Sequence, residues 1–189
     1  MHEDLAGEGK AIVKPDPSFV KQMREVGEAD VSLCYQCLKC SSGCPVAFAM
    51  DYMPHQIIRL VQLGLREEVL RSSTIWLCAS CETCVTRCPN DVDLPRVMDA
   101  LRQMARREGI QPAEADIACF HEAFMQEILN FGRVHEMSLI ARYKLRTRQW
   151  LRDLGLGLQM FLRGRLSLLP ARVKERKKIR TILQKAKKP

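Results

Sequence analysis

The chain has 189 residues, 47% of them hydrophobic, with nine cysteines and a formal net charge of +8. That length allows one domain plus extensions and exceeds the small secreted scaffolds that depend on disulfides. No apolar run approaches the roughly 20 residues that span a bilayer, and the charge is unevenly placed. Residues 1–132 carry 13 Lys/Arg against 19 Asp/Glu, while residues 133–189 carry 17 against 3. The sequence therefore reads as a mildly acidic body followed by a strongly basic piece.

Residues 1–17 are polar, with Pro15 and Pro17, and read as an extended lead-in. Met1 to Lys10 has no apolar stretch, so no signal peptide is expected. Ser18 is placed to cap a short helix carrying Phe19, Met23 and Val26, expected to pack over the first cysteine run. That run follows as Cys34, Cys37, Cys40 and Cys44, with Pro45 directly after. Lys39 lies inside it and reads as a solvated cation. Between the runs the pattern is helical. Pro54 suits a first turn, Ile57, Ile58, Leu60 and Val61 give an apolar face, and Gly64 suits the stop. A second short helix carries Leu65, Val69 and Leu70. Ser72 or Ser73 then caps a turn through Ile75, Trp76 and Leu77, where Trp76 and Leu77 are expected to keep water off a buried group.

The second run is Cys78, Cys81, Cys84 and Cys88, again closed by a proline, Pro89. Asp93 is a good N-cap with Pro95 in the first turn behind it, and Leu94, Val97, Met98, Leu101 and Met104 keep helical spacing to Gly109. Pro112 is expected to start another helix with Ile117, Phe120, Phe124 and Ile128 on one face and Gly132 at its end. Residues 18–132 thus read as one all-α domain and residues 133–189 as a basic amphipathic extension. In the extension Leu139, Ile140, Tyr143, Trp150, Leu151, Leu154, Leu156, Met160, Phe161 and Leu162 interleave with Arg142, Lys144, Arg146, Arg148, Arg152, Arg163 and Arg165. Leu166 to Pro170 is apolar, and Arg172 to Lys188 is nearly all basic, ending on the solvated Lys185, Lys187 and Lys188. A membrane-surface helix, a nucleic-acid tail and a partner-docking arm all draw on such a pattern. Of the three, docking on a partner is the favoured reading.

Each cysteine run reads C-x2-C-x2-C-x3-C-P, the spacing of proteins with two [4Fe–4S] clusters. Three cysteines two residues apart let one tight loop present three thiolates to three corners of a cubane. In two-cluster proteins of this type the fourth cysteine serves the other cluster. Cys34, Cys37, Cys40 and Cys88 are therefore expected to hold one cluster, and Cys78, Cys81, Cys84 and Cys44 the other. The prolines end each ligating loop, because Pro fixes φ and has no N–H. Zinc sites more often take four ligands as two spaced pairs, and disulfides suit small oxidised scaffolds. Cys119 stands alone in a helical pattern and reads as a small core residue. His2, His55, His121 and His135 are scattered and read as surface or core residues rather than ligands. No residue is expected to act as acid, base or nucleophile.

The paired runs Cys34–Pro45 and Cys78–Pro89, the helical spacer Pro54–Leu77 and the segment Gly132–Pro170 with Arg142–Thr147 (RYKLRT) resemble the C subunit of heterodisulfide reductase. The helical two-cubane domain resembles the α-helical ferredoxin fold. The resemblance implies a cytoplasmic electron relay in a hetero-oligomer. It implies electrons received from an A subunit with flavin and iron–sulfur centres, where flavin-based electron bifurcation occurs. It implies their delivery to a B subunit whose CCG modules reduce a disulfide. No two cysteines are adjacent here, and no Gly-rich nucleotide fingerprint is present, so disulfide reduction by this chain alone is not expected. Two other classes are weighed. An iron–sulfur subunit of a membrane-linked, quinone-reducing dehydrogenase usually adds CCG modules or a plant-type cluster domain. An oxygen-sensing regulator needs a DNA-reading helix, and nucleic acid is not an expected partner.

Overall fold

The computed structural model describes residues 15–148, 155, 159–160, 162–163, 173 and 175–186. Most of the lead-in, with His2, lies outside the described residues. So do Trp150, Leu151, Arg152, Leu154, Leu156, Phe161, Arg165, Leu166 to Pro170, Arg172, Lys187 and Lys188. The described residues are helical, without a strand. The chain divides into two compact units, residues 1–114 and 115–189.

In the first unit α1 (Phe19–Gly27) buries Phe19, Met23 and Gly27. Its cap differs from expectation. Ser18 makes no side-chain cap, and Asp16 Oδ1 instead accepts from Ser18 N at 2.9 Å and Ser18 Oγ at 2.6 Å. Two short helices, α2 (Lys39–Ser42) and α3 (Pro54–Gln62), follow. Pro54 opens α3, where a missing N–H costs nothing. Gly64 ends that stretch with φ +72°, and its carbonyl accepts from Asp16 N at 2.8 Å. A Cβ there would stand 2.5 Å from Asp16 O. Next come α4 (Arg66–Arg71), α5 (Thr74–Leu77), α6 (Thr83–Arg87) and the long α7 (Leu94–Arg107). Asp93 caps α7 as its sequence position suggests, accepting from Arg96 N at 3.1 Å.

Helix α7 is the spine of this unit, with α1, α4, α5 and α6 packed against it. Gly27 allows the close approach of α1, since a Cβ there would meet Ala100 Cβ at 3.1 Å. Ile57, Ile58, Val61, Val69, Ile75, Val97 and Leu101 are fully buried in the core. Each such side chain contributes about 1.5–3 kcal/mol by leaving water.

The unit is built from a repeat. Cys34 and Cys78 stand 44 residues apart, as do Cys44 and Cys88. Two positions in each run adopt left-handed backbone without being glycine: Gln36 and Leu38 in the first, Ser80 and Glu82 in the second. These are matching positions, each 44 residues from its counterpart. Helices α2 and α6 match in the same way and pack on each other. One glycine–arginine contact breaks the symmetry. The Arg87 side chain lies across Gly43, where a Cβ would collide with its guanidinium.

The second unit contains α8 (Ala115–Phe131), α9 (Glu136–Thr147) and α10 (Arg176–Ala186). Helix α8 begins three residues after Pro112, and its packing against α9 and α10 groups it with the basic extension. The unit boundary thus falls before this helix, where the sequence reading put a boundary after it, at Gly132. The buried line of α8 is also not the expected one. Ala118, Ala123 and Glu127 are buried, whereas Phe120 is 42% and Phe124 36% exposed. Phe120 instead packs edge-on to Tyr143, with ring centroids 5.8 Å apart. Cys119 is only partly buried.

Glu127 has no exposure at all. Ser138 Oγ donates to its carboxylate, and Arg142 donates through Nε at 3.2 Å and Nη2 at 3.1 Å. His135, itself buried, caps α9 by accepting from Ser138 N through Nδ1. Arg142, read from sequence as part of a docking arm, therefore has an internal partner. Removing it strands a buried carboxylate, which is far costlier than losing an exposed pair. Arg142→Leu is expected to destabilise the second unit by about 3 kcal/mol in denaturant unfolding, and Arg146→Leu, in an exposed pair with Glu122, by less than about 1 kcal/mol.

Candidate functional site

The eight cysteines of the two runs surround two neighbouring cavities in the first unit. Cys34, Cys37, Cys40 and Cys88 line the first. Cys44, Cys78, Cys81 and Cys84 line the second. Each cavity thus takes three cysteines from one run and the last cysteine of the other. Leu94, at the start of α7, lines both.

Backbone geometry produces this. Left-handed residues at Gln36 and Leu38, and again at Ser80 and Glu82, curl each C-x2-C-x2-C segment so that its three thiols face inward. Such conformations cost about 1–3 kcal/mol each for residues with a Cβ, and they persist where surrounding structure imposes them. Pro45 and Pro89 then turn the chain away after the fourth cysteine. The two halves are joined near this point. Asp51, just past the first run, accepts from Ser73 N at 2.8 Å and Thr74 N at 3.0 Å at the start of α5. It also accepts from Ser72 Oγ at 2.8 Å and Thr74 Oγ1 at 2.6 Å. The sequence reading gave this capping role to Ser72 or Ser73. Ser72 Oγ does accept from Thr74 N at 3.1 Å, Ser73 makes no side-chain cap, and the further acceptor, Asp51, comes from 22 residues earlier. Partial burial pushes the Asp51 carboxyl up, but the donors of Thr74, Ser73 and Ser72 outweigh it and hold the group well below the usual carboxylate range.

The cavity walls differ. The first includes Gln36 and His55 beside Leu38 and Val92. The second includes Val46, Met50, Pro54, Pro95 and Met98. Sulfur contacts differ too. Gln36 Nε2 donates to Cys34 Sγ at 3.4 Å and Val92 N to Cys88 Sγ at 3.3 Å. Cys81 Sγ is 3.4 Å from Thr83 Oγ1. His55 is not among the sulfur donors. Its backbone N–H donates to Ser41 Oγ at 3.1 Å, and its Nδ1 is 2.7 Å from the same oxygen. Trp76 is buried yet lines neither cavity, and α1 contributes to neither.

Two of the thiols, Cys40 and Cys84, sit in surroundings hostile to a bare thiolate. Burial, and then the neighbouring Cys78 charge, push the Cys84 thiol up to about 12. Burial also raises Cys40, while the more open Cys81 is lowered by its Thr83 contacts. A metal reverses this logic, because its positive charge deprotonates a coordinating thiol outright. The thiols do not converge on one point. Among the described residues no three His, Cys, Asp or Glu side chains are grouped to hold a single metal ion. They ring cavities instead. A cubane takes one thiolate at each iron corner, so a ring of four thiols around a central space fits its demands.

Residues 30–92 match the family described as a 4Fe-4S dicluster domain. Over a longer stretch the chain is similar to the second iron-sulfur C subunit of the CoB–CoM heterodisulfide reductase of Methanocaldococcus jannaschii. The two are 32% identical over 133 residues, 65% of this chain and 68% of that one. It is 34% identical to the iron-sulfur C subunit of the CoB–CoM heterodisulfide reductase of Methanopyrus kandleri over 102 residues, 50% and 53% of the two chains. It is 31% identical to the C subunit of the H(2):CoB-CoM heterodisulfide,ferredoxin reductase of Methanothermobacter marburgensis over 106 residues, 56% and 57%. The matches thus span about two thirds of the first relative and little more than half of the other two.

Asp51→Ala is expected to lower stability by about 1–2 kcal/mol, the usual range for a lost cap, with solvent trimming the upper end. The folded carboxyl lies below its unfolded value of about 3.9, so its contribution is complete above that pH and is lost as pH falls further. The gap between the two proteins in anaerobic denaturant unfolding should therefore hold steady from pH 8 to about pH 5.

Proposed function

Because the chain belongs to the heterodisulfide reductase C-subunit family, we propose that it is the iron–sulfur electron-transfer subunit of a heterodisulfide reductase-type complex. The observation that carries this reading is the pair of adjacent cysteine-lined cavities with crossed fourth cysteines. In this reading each cavity holds one [4Fe–4S] cluster, two in all. Cys34, Cys37, Cys40 and Cys88 are the ligands of one. Cys78, Cys81, Cys84 and Cys44 are the ligands of the other. Bound there, each cluster supplies a one-electron couple.

The remaining residues serve that couple. The left-handed turns fix the thiols in place, so little protein motion accompanies a change of charge. Val46, Met50, Pro95 and Met98 limit water at the second cavity, and Leu94 borders both. Such burial, with hydrogen bonds to sulfur, helps set cluster potential. The chain contributes no acid, base or nucleophile to bond-making. Its partners are then an A subunit bearing flavin and iron–sulfur centres, as donor, and a CCG-bearing B subunit, as acceptor, in a cytoplasmic complex. The basic extension, residues 133–189, serves as the docking arm. Its last helix, α10, exposes Lys177, Lys178 and Arg180, charges suited to an acidic partner surface.

Anaerobic purification of the complex from its native host tests this. The expected result is recovery of the chain with a flavin-binding iron–sulfur protein and a CCG-containing protein. Recovery with a membrane-bound quinone-reducing dehydrogenase would overturn the assignment of partners.

A further inference from the structure

The two halves of the repeat use the same clamp with different charge. In the first half Gln62, at the end of α3, donates through Nε2 to the carbonyls of Val31 at 2.9 Å and Cys34 at 3.0 Å. In the second half Arg102 on α7 donates through Nε to the carbonyl of Ile75, and through Nη2 to that of Cys78 at 2.6 Å. Val31 and Ile75 each stand three residues before the first cysteine of their run. The two side chains hold the same pair of carbonyls. One is a neutral amide, and the other is a permanent cation.

The Arg102 side chain is only 12% exposed. Its nearest carboxylate, Asp99, is 4.0 Å away and 62% exposed, so water rather than Asp99 sets much of the balance on that side. Other cations near the runs, Lys39 and Arg87, are exposed and screened. The opposing influences are the hydrogen bonds from Gln36 and Val92 to sulfurs of the first cavity, and the longer contact of Ser41 Oγ with Cys40 Sγ at 3.9 Å. These are neutral dipoles, weaker than a full charge in partly dry surroundings.

We propose that Arg102 is a positioning residue whose fixed charge raises the reduction potential of the second cavity, the one lined by Cys78, Cys81, Cys84 and Cys44, above that of the first. This rests on the reading that both cavities hold [4Fe–4S] clusters. Reduction adds one negative charge to a cavity, and Arg102 stabilises that charge in the second while Gln62 does not in the first. The pair is therefore unequal, and the second cavity is where an electron comes to rest.

The test is a redox titration, followed by electron paramagnetic resonance, of the full chain purified anaerobically with its clusters. Iron and sulfide analysis of the wild type comes first. Less than two clusters' worth overturns the two-cluster reading itself, and this inference with it. With both clusters present, Arg102→Gln should move the higher-potential wave down, weakening reduction about tenfold, or about 59 mV for one electron. The lower wave should stay in place, and Arg102→Lys should restore most of the shift. Should Arg102→Gln fail to keep its clusters, Gln62→Arg decides, because a cation at that clamp must raise the lower wave. The inference is overturned if Arg102→Gln leaves both waves unmoved or moves the lower one. It is also overturned if Arg102→Lys shifts the wave as far as Arg102→Gln, or if Gln62→Arg raises the higher wave.

Discussion

Everything in the first unit answers to one constraint: eight thiols must be held around two neighbouring spaces. Where these thiols are most buried, a bare thiolate is disfavoured. Burial, with the neighbouring Cys78 charge, drives Cys84 far above an ordinary thiol, and four negative sulfurs around one cavity would repel each other as well. Only a strongly positive centre makes the arrangement favourable in its ionised form. The strained left-handed residues, the closing prolines and the Asp51 bridge all hold the thiols where such a centre would need them. These features cost stability in its absence, as expected of structure concentrated at a functional site.

The repeat explains both the economy of the design and its inequality. A single plan of loop, short helix and clamping helix is used twice, and the fourth cysteine of each copy crosses to the other. The crossing makes the halves interdependent, since neither cavity is complete without a residue from each run. Small departures from symmetry then give each cavity its own character. Gly43 faces Arg87, Gln62 answers to Arg102, and Ser41 with its His55 contact answers to Val85. A pair of identical sites would share an electron without preference. These substitutions give the protein a means of ranking them.

Much of the helical plan was legible from local signals. Pro54, Gly64, Asp93 and the apolar spacing of α3 and α7 act within a turn or two of where they stand, and short-range chemistry is what a sequence displays. Cysteine spacing likewise put the eight thiols into two loops. The features that escaped are long-range. Asp51 caps a helix 22 residues away, beyond the reach of any capping pattern, and joins the nearer Ser72, which accepts from Thr74 N as its position suggests. The Gln62 and Arg102 clamps look like ordinary solvated side chains until the folded carbonyls beneath them are seen. Helix α8 misled for another reason. Its aromatic residues keep helical spacing, yet the side that is buried carries Ala118, Ala123 and the charged Glu127. Hydropathy cannot anticipate a carboxylate at the centre of a helix pair, because its burial depends on Arg142 and Ser138 from the next helix.

The central claim is that the fourth cysteine of each run belongs to the cluster of the other run. Paired Cys→Ser substitutions test it most directly, with clusters counted by iron content and electron paramagnetic resonance of the anaerobically prepared chain. Residues acting as one unit are non-additive when replaced together. Cys44→Ser combined with Cys78→Ser should therefore damage a single cluster and leave the other intact, whereas Cys44→Ser combined with Cys34→Ser should damage both. The reverse pattern, with Cys44 and Cys34 behaving as one unit, would contradict the crossing.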